Sequence, residues 1–196
     1  MVNTLEAIAF ILGIITVVLV VRRSVWNFPF GIAMTAIYGF VFADARLYSD
    51  MLLQGFFVIV NAYGWVMWRQ HAARDGDIAV EVMPVRDRAT WALAWLIAWV
   101  VWGAAMARLT DASYPWWDAG IAAASIAAQV MMARRLLENW AVWIAVDIAS
   151  IALYAAKGLW LTAVLYMILL ALSVWGWADW RAAWRQDRAG RKAAFA

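Results

Sequence analysis

A chain of 196 residues that is 67% hydrophobic and only 15% charged, with a mean hydropathy of +0.73, lies outside the composition of water-soluble domains. It contains no cysteine, which excludes disulfides, thiolate metal sites and thiol nucleophiles. Its net charge of +3 is carried by loops and the C-terminal end and not by one soluble face, so it is no nucleic-acid signal. Crossing ~30 Å of hydrocarbon takes about 20 apolar residues, so seven spans with short connections consume the chain.

In chain order, apolar runs predict helices over about 4–21, 25–44, 48–69, 90–108, 116–133, 137–156 and 158–180. The opening Met1-Val2-Asn3-Thr4-Leu5-Glu6 lacks the basic stretch of a signal peptide, so the first helix is expected to be retained. One connection is long and polar: residues 70–89, with Arg74, Asp75, Asp77, Glu81, Arg86, Asp87 and Arg88. The fold class is thus an all-α integral membrane protein with seven transmembrane helices in a 3+1+3 arrangement. Its expected parts are a first three-helix repeat (1–70), a cytoplasmic linker with linker helix 4 (71–110), a second repeat (111–183) and a basic tail (184–196).

Thirteen of the sixteen basic residues fall on one side of such a bundle, among them Arg22, Arg23, Arg134 and Arg135. The other side holds only Arg46, Arg108 and Lys157. The bias predicts a cytoplasmic C-terminus and an external N-terminus. Trp65, Trp68, Trp175, Trp177, Trp180 and Trp184 are then expected near the cytoplasmic interface, most of them in an aromatic belt.

The chain repeats itself. A shift of 112 residues places Arg22-Arg23 on Arg134-Arg135, Asn27 on Asn139, Ile32-Ala33 on Ile144-Ala145 and Leu53 on Leu165. It also places Tyr63-Gly64-Trp65 on Trp175-Gly176-Trp177, and Trp68-Arg69 on Trp180-Arg181. Copies that begin four helices apart enter a membrane in the same direction, with helix 4 as the inverting linker. These are parallel repeats, which predict a pathway between two three-helix units and a substrate site near the midplane.

Polar side chains at membrane depth are costly and mark function or helix-to-helix hydrogen bonding. Helix 6 carries Trp140, Trp143, Asp147, Ser150 and Tyr154, spaced to share one face. Helix 3 has a matching stripe of Asp50, Gln54, Phe57, Asn61, Trp65 and Trp68, and helix 7 has Thr162, Tyr166, Leu169, Ser173, Gly176 and Trp180. Helix 2 offers Asn27, Met34 and Tyr38. Two indoles one turn apart can sandwich a flat cationic ring, while a carboxylate and amides can bind hydroxyls or a carboxamide. The expected ligand is a flat, cationic ring bearing a polyol. Neither a metal site nor a cofactor site is expected.

The run Glu138-Asn139-Trp140-x-x-Trp143, continuing to Asp147, Tyr154, Lys157-Gly158-Leu159, Thr162 and Leu165-Tyr166, closes with Gly176-Trp177-x-x-Trp180. Together with Leu53-Gln54 and Tyr63-Gly64-Trp65-x-x-Trp68, it resembles the PnuC family of nicotinamide riboside transporters over about residues 4–185. The resemblance implies a fold like that of the SWEET sugar carriers. It also implies facilitated diffusion of a vitamin-like nucleoside without ion coupling, trapping by cytosolic phosphorylation, residence in the bacterial inner membrane and a homotrimer. Its Trp-x-x-Trp on helix 6 points to the nicotinamide riboside branch. The implied substrate-binding residues are Trp140, Trp143, Asp147, Gln54, Asn61 and Tyr166, with Asn139, Tyr154, Tyr38 and Asn27 as further candidates.

A carrier for thiamine or a sugar on the same fold is the alternative. A membrane enzyme would need a nucleophile–base pair or a metal cluster, and the only histidine, His71, is assigned to the polar loop. A retinal protein would need a lysine in the middle of the last helix, and the span 158–180 has none. On helix 5, Gly120, Ala124 and Ala128 form a small-residue stripe that suits close packing, within one protomer or at a trimer interface.

Overall fold

The computed structural model describes residues 2–44, 48–75, 78–110 and 114–194. Arg46, Leu47 and Asp77 lie outside the described residues, as do the side chains of Asp50, Asp75, Arg191 and Lys192. The described residues form seven helices: α1 (Val2–Val21), α2 (Asn27–Asp44), α3 (Tyr48–Asp75), α4 (Val85–Leu109), α5 (Pro115–Ala133), α6 (Glu138–Ala156) and α7 (Trp160–Ala194). Val85–Leu109, Glu138–Ala156 and Thr162–Gly190 are long and apolar enough to cross a membrane, and Ala7–Val21 and Asn27–Val41 are shorter apolar stretches.

Three expectations about where elements end need correction. The polar connection is shorter than 70–89, because α3 continues to Asp75 and α4 begins at Val85. His71 is therefore a helix residue, its Nδ1 2.8 Å from the Met67 carbonyl one turn earlier. The basic tail is the last part of α7, helical to Ala194. In each case the helix outruns its apolar stretch, because helical hydrogen bonding continues wherever the residues are good helix formers, as in Arg181-Ala182-Ala183.

The helix ends repeat as the sequence does. At the end of α1, Arg23 N–H donates to Val20 O (2.9 Å) and Ser24 N–H to Leu19 O (2.9 Å). This is the Schellman pattern, which needs a left-handed residue between. Arg23 supplies it at φ 53°, and Arg135 does the same after α5 at φ 63°. Leu136 N–H there donates to Met131 O (3.0 Å). A left-handed arginine costs about 1–2 kcal/mol, and the chain accepts this twice at equivalent positions. After α6 the same turn is made by Gly158 at φ 74°.

The chain divides into two units. The first comprises residues 1–80, 133–135 and 178–196. In it α2 packs on both α1 and α3, and Phe28 lies over Gly64, where a β-carbon would collide with the ring. Phe28 also meets Trp68 edge-on, with centroids 5.1 Å apart.

Trp68 and Trp180 are fully buried in this unit, which corrects their assignment to an aromatic belt. Trp68 Nε1 donates to the Ala133 carbonyl (3.2 Å), and Trp180 Nε1 is shared between the carbonyls of Val20 (3.1 Å) and Val21 (3.2 Å). The last carbonyls of a helix have no internal donor, and the indoles provide one. The two rings stand 5.9 Å apart, and Arg23 pairs with Asp179 at 3.0 Å.

The second unit comprises residues 81–132 and 136–177. Here α4 and α5 interlock through glycines: Trp116 covers Gly103 and Trp99 covers Gly120. Trp99 Nε1 donates to Trp116 O (2.6 Å) and Trp95 Nε1 to Gly120 O (3.2 Å). Gly120, the first member of the small-residue stripe, thus packs within the protomer. The segment before α4 is strapped to the start of α6. Leu137 N–H donates to Glu81 O (2.8 Å), Met83 N–H donates to the Glu138 carboxylate (3.1 Å), and Arg88 pairs with Glu138 at 2.9 Å.

Candidate functional site

The second unit holds a polar cluster on α6 and the first half of α7. Asp147, Ser150 and Ser173 are buried, at 2%, 0% and 4% exposure. Ser173 Oγ donates to Asp147 Oδ2 at 2.8 Å. Among the described residues no lysine or arginine pairs with Asp147. One turn beyond, Tyr154 and Tyr166 stack at 5.3 Å, with Ser150 and Asp147 beside the Tyr166 phenol. A carboxylate taken out of water and compensated by one neutral donor favours a cationic ligand that completes its pairing.

Trp140 and Trp143 differ in exposure. Trp140 is 2% exposed and lies against Gly176, where any β-carbon would collide with the indole. This repeats Phe28 on Gly64 at the equivalent positions, and it buries the Trp140 ring in the α6–α7 contact. Trp143 is half-buried and keeps accessible surface. Asn139 and Asn27 are turn builders: their Nδ2 atoms donate to Leu136 O and Ser24 O, each at 2.6 Å. Both are fully buried.

Gln54, Asn61 and Tyr38 belong to the first unit. Asn61 is 3% exposed and, like Thr16, sits against Gly31, while the Cβ of Gln54 faces Gly39. Tyr38 is half-buried on α2. Two further buried residues have the same polar character. Ser173 is the repeat equivalent of Asn61, and buried Thr35 is the equivalent of Asp147. The repeat shift carried that signal, because a candidate in one copy nominates its counterpart in the other. Among the described residues no group of three or more His, Cys, Asp or Glu side chains could hold a metal ion.

Apolar helices of membrane length among seven helices define the fold class, a helical membrane protein, and the family match makes it a transporter and not an enzyme. Residues 3–182 match the family model described as nicotinamide mononucleotide transporter, and the chain belongs to this family.

Among curated relatives it is 25% identical to the nicotinamide riboside transporter PnuC of Escherichia coli strain K12, over 90% of this chain and 84% of that one. It is 31% identical to PnuC of Neisseria mucosa, covering 90% and 71% respectively. It is also 32% identical to the riboflavin/roseoflavin transporter RibM of Streptomyces davaonensis, covering 90% and 84%. The crystal structure of the vitamin B3 transporter PnuC superposes with a TM-score of 0.75 at 28% identity, covering 94% of this chain and 83% of that one.

Proposed function

We propose that this protein carries nicotinamide riboside across the bacterial inner membrane by facilitated diffusion, through alternating access, with cytosolic phosphorylation trapping the product. The observation that carries this reading is Asp147: buried, hydrogen-bonded by Ser173 and lacking a protein cation among the described residues. A pyridinium ring supplies that positive charge. Trp143, one turn away on α6 and partly accessible, offers it an aromatic face. The hydroxyls of Ser150, Tyr154 and Tyr166 suit a ribose.

The names of the relatives support the substrate. The bias of basic residues supports an external N-terminus and a cytoplasmic C-terminus. The homotrimer rests on the family resemblance. RibM, at 32% identity, makes riboflavin the competing ligand.

Calorimetry of the purified protein with nicotinamide riboside, thiamine and riboflavin, side by side, tests the substrate. Nicotinamide riboside is expected to bind most tightly. Trp143→Ala is expected to weaken it by roughly three- to thirtyfold, the worth of a cation–π contact. Uptake into proteoliposomes is expected to be saturable and indifferent to imposed Na⁺ or proton gradients. Preference for riboflavin would replace the substrate, and gradient-driven accumulation would replace the mechanism.

A further inference from the structure

We infer that Ser173 is a positioning residue for the cationic ring of the substrate, acting through Asp147, and that this acid–hydroxyl pair makes the site select a charged ring over a neutral one of the same shape. The inference rests on the proposed function and deepens it.

Three observations carry it. The Ser173 Oγ to Asp147 Oδ2 bond is short, at 2.8 Å, and joins α7 to α6 between two buried side chains. A serine has one proton to give, so it can fix the rotation of the carboxylate while leaving its charge uncancelled and most of its lone pairs open. An arginine or lysine at 173 would cancel that charge.

The internal repeat supplies the contrast. At the positions equivalent to Asp147 and Ser173 the first copy has Thr35 and Asn61, both buried and both neutral. Thr35 satisfies its own hydroxyl by donating to Gly31 O (2.9 Å). The duplicated scaffold therefore accepts an uncharged pair at this place. The acid in the second copy is not required by the helix packing, which leaves it free to serve a ligand. The same comparison sets Trp143 against Gly31, so the aromatic face and the acid occur together in one copy only.

The test compares nicotinamide riboside with its reduced dihydro form, which keeps the carboxamide and ribose but has a neutral ring. Binding of both is measured by calorimetry on the full-length protein and on Ser173→Ala, Ser173→Thr and Asp147→Asn. Wild type is expected to prefer the cation, and Asp147→Asn to lose that preference. Ser173→Ala is expected to weaken the cation roughly tenfold, as for a hydrogen bond to a charged group, and the neutral form by less than about twofold. Ser173→Thr, which restores the donor, is expected to recover the preference.

Binding of the neutral form reports that each variant is folded. Ser173→Ala that leaves both affinities unchanged, or lowers both alike, overturns the role of Ser173 while the proposed function stands. Wild-type protein that binds neither form overturns the proposed function and this inference together.

Discussion

The residues that shape this protein most are glycines facing aromatic rings. Gly64 under Phe28, Gly176 under Trp140 and Gly103 under Trp116 each sit where a β-carbon would overlap a ring. In a membrane, helices gain little by burying apolar surface against each other, so close approach and van der Waals contact hold them together. Gly176→Ala and Gly64→Ala are therefore expected to destabilise the protein by about 1–3 kcal/mol each, the cost of forcing a methyl into a packed contact. Thermal melting in detergent measures this. An unchanged midpoint would show that the rings move aside freely. The same contact explains why Trp140, which shares a helical face with Trp143, differs from it in accessibility.

At the scale of elements, the connections are as informative as the spans. Helices α1 and α5 end in the same turn, built around Arg23 and Arg135 and closed by the Asn27 and Asn139 side chains. The segment Glu81–Val85, which leads into α4, is fastened to the start of α6 by Glu138, which takes the Met83 amide and the Arg88 guanidinium. An acid in the first turn also suits the positive end of the helix. Glu138→Ala is expected to cost about 1–2 kcal/mol, with the Met83 amide left unpaired. It should also raise hydrogen exchange at Met83 and Leu137 ahead of the helix interiors. Exchange that stays as slow as in wild type would mean that the apolar anchors Ile78, Val80 and Met83, all buried, hold the segment without it.

For the whole molecule, Trp68 and Trp180 form a reciprocal pair. Trp68, on α3, caps the end of α5, and Trp180, on α7, caps the end of α1. Trp68→Phe and Trp180→Phe keep the aromatic volume but orphan buried carbonyls, so each is expected to lower stability by about 1–2 kcal/mol. Because the rings lie 5.9 Å apart, the double variant should depart from additivity. Strict additivity in detergent melting would show that the two caps act independently.

The membrane class, the number and order of the helices and the internal repeat were legible in the sequence. Each rests on properties local to the chain: the length of apolar runs, their period, and the recurrence of Arg-Arg turns and Gly-Trp-x-x-Trp-Arg endings at a constant shift. Asp147 was legible as well, because a carboxylate ten residues into an apolar span is anomalous wherever the helix packs. Tertiary structure decided which neighbour each side chain meets. It gave Asp147 its partner Ser173, buried Trp140 while leaving Trp143 partly open, and turned Trp68 and Trp180 from interface residues into helix caps. These outcomes depend on atoms brought together from positions 26 to 160 residues apart, and the pattern along a single helix carries no record of them.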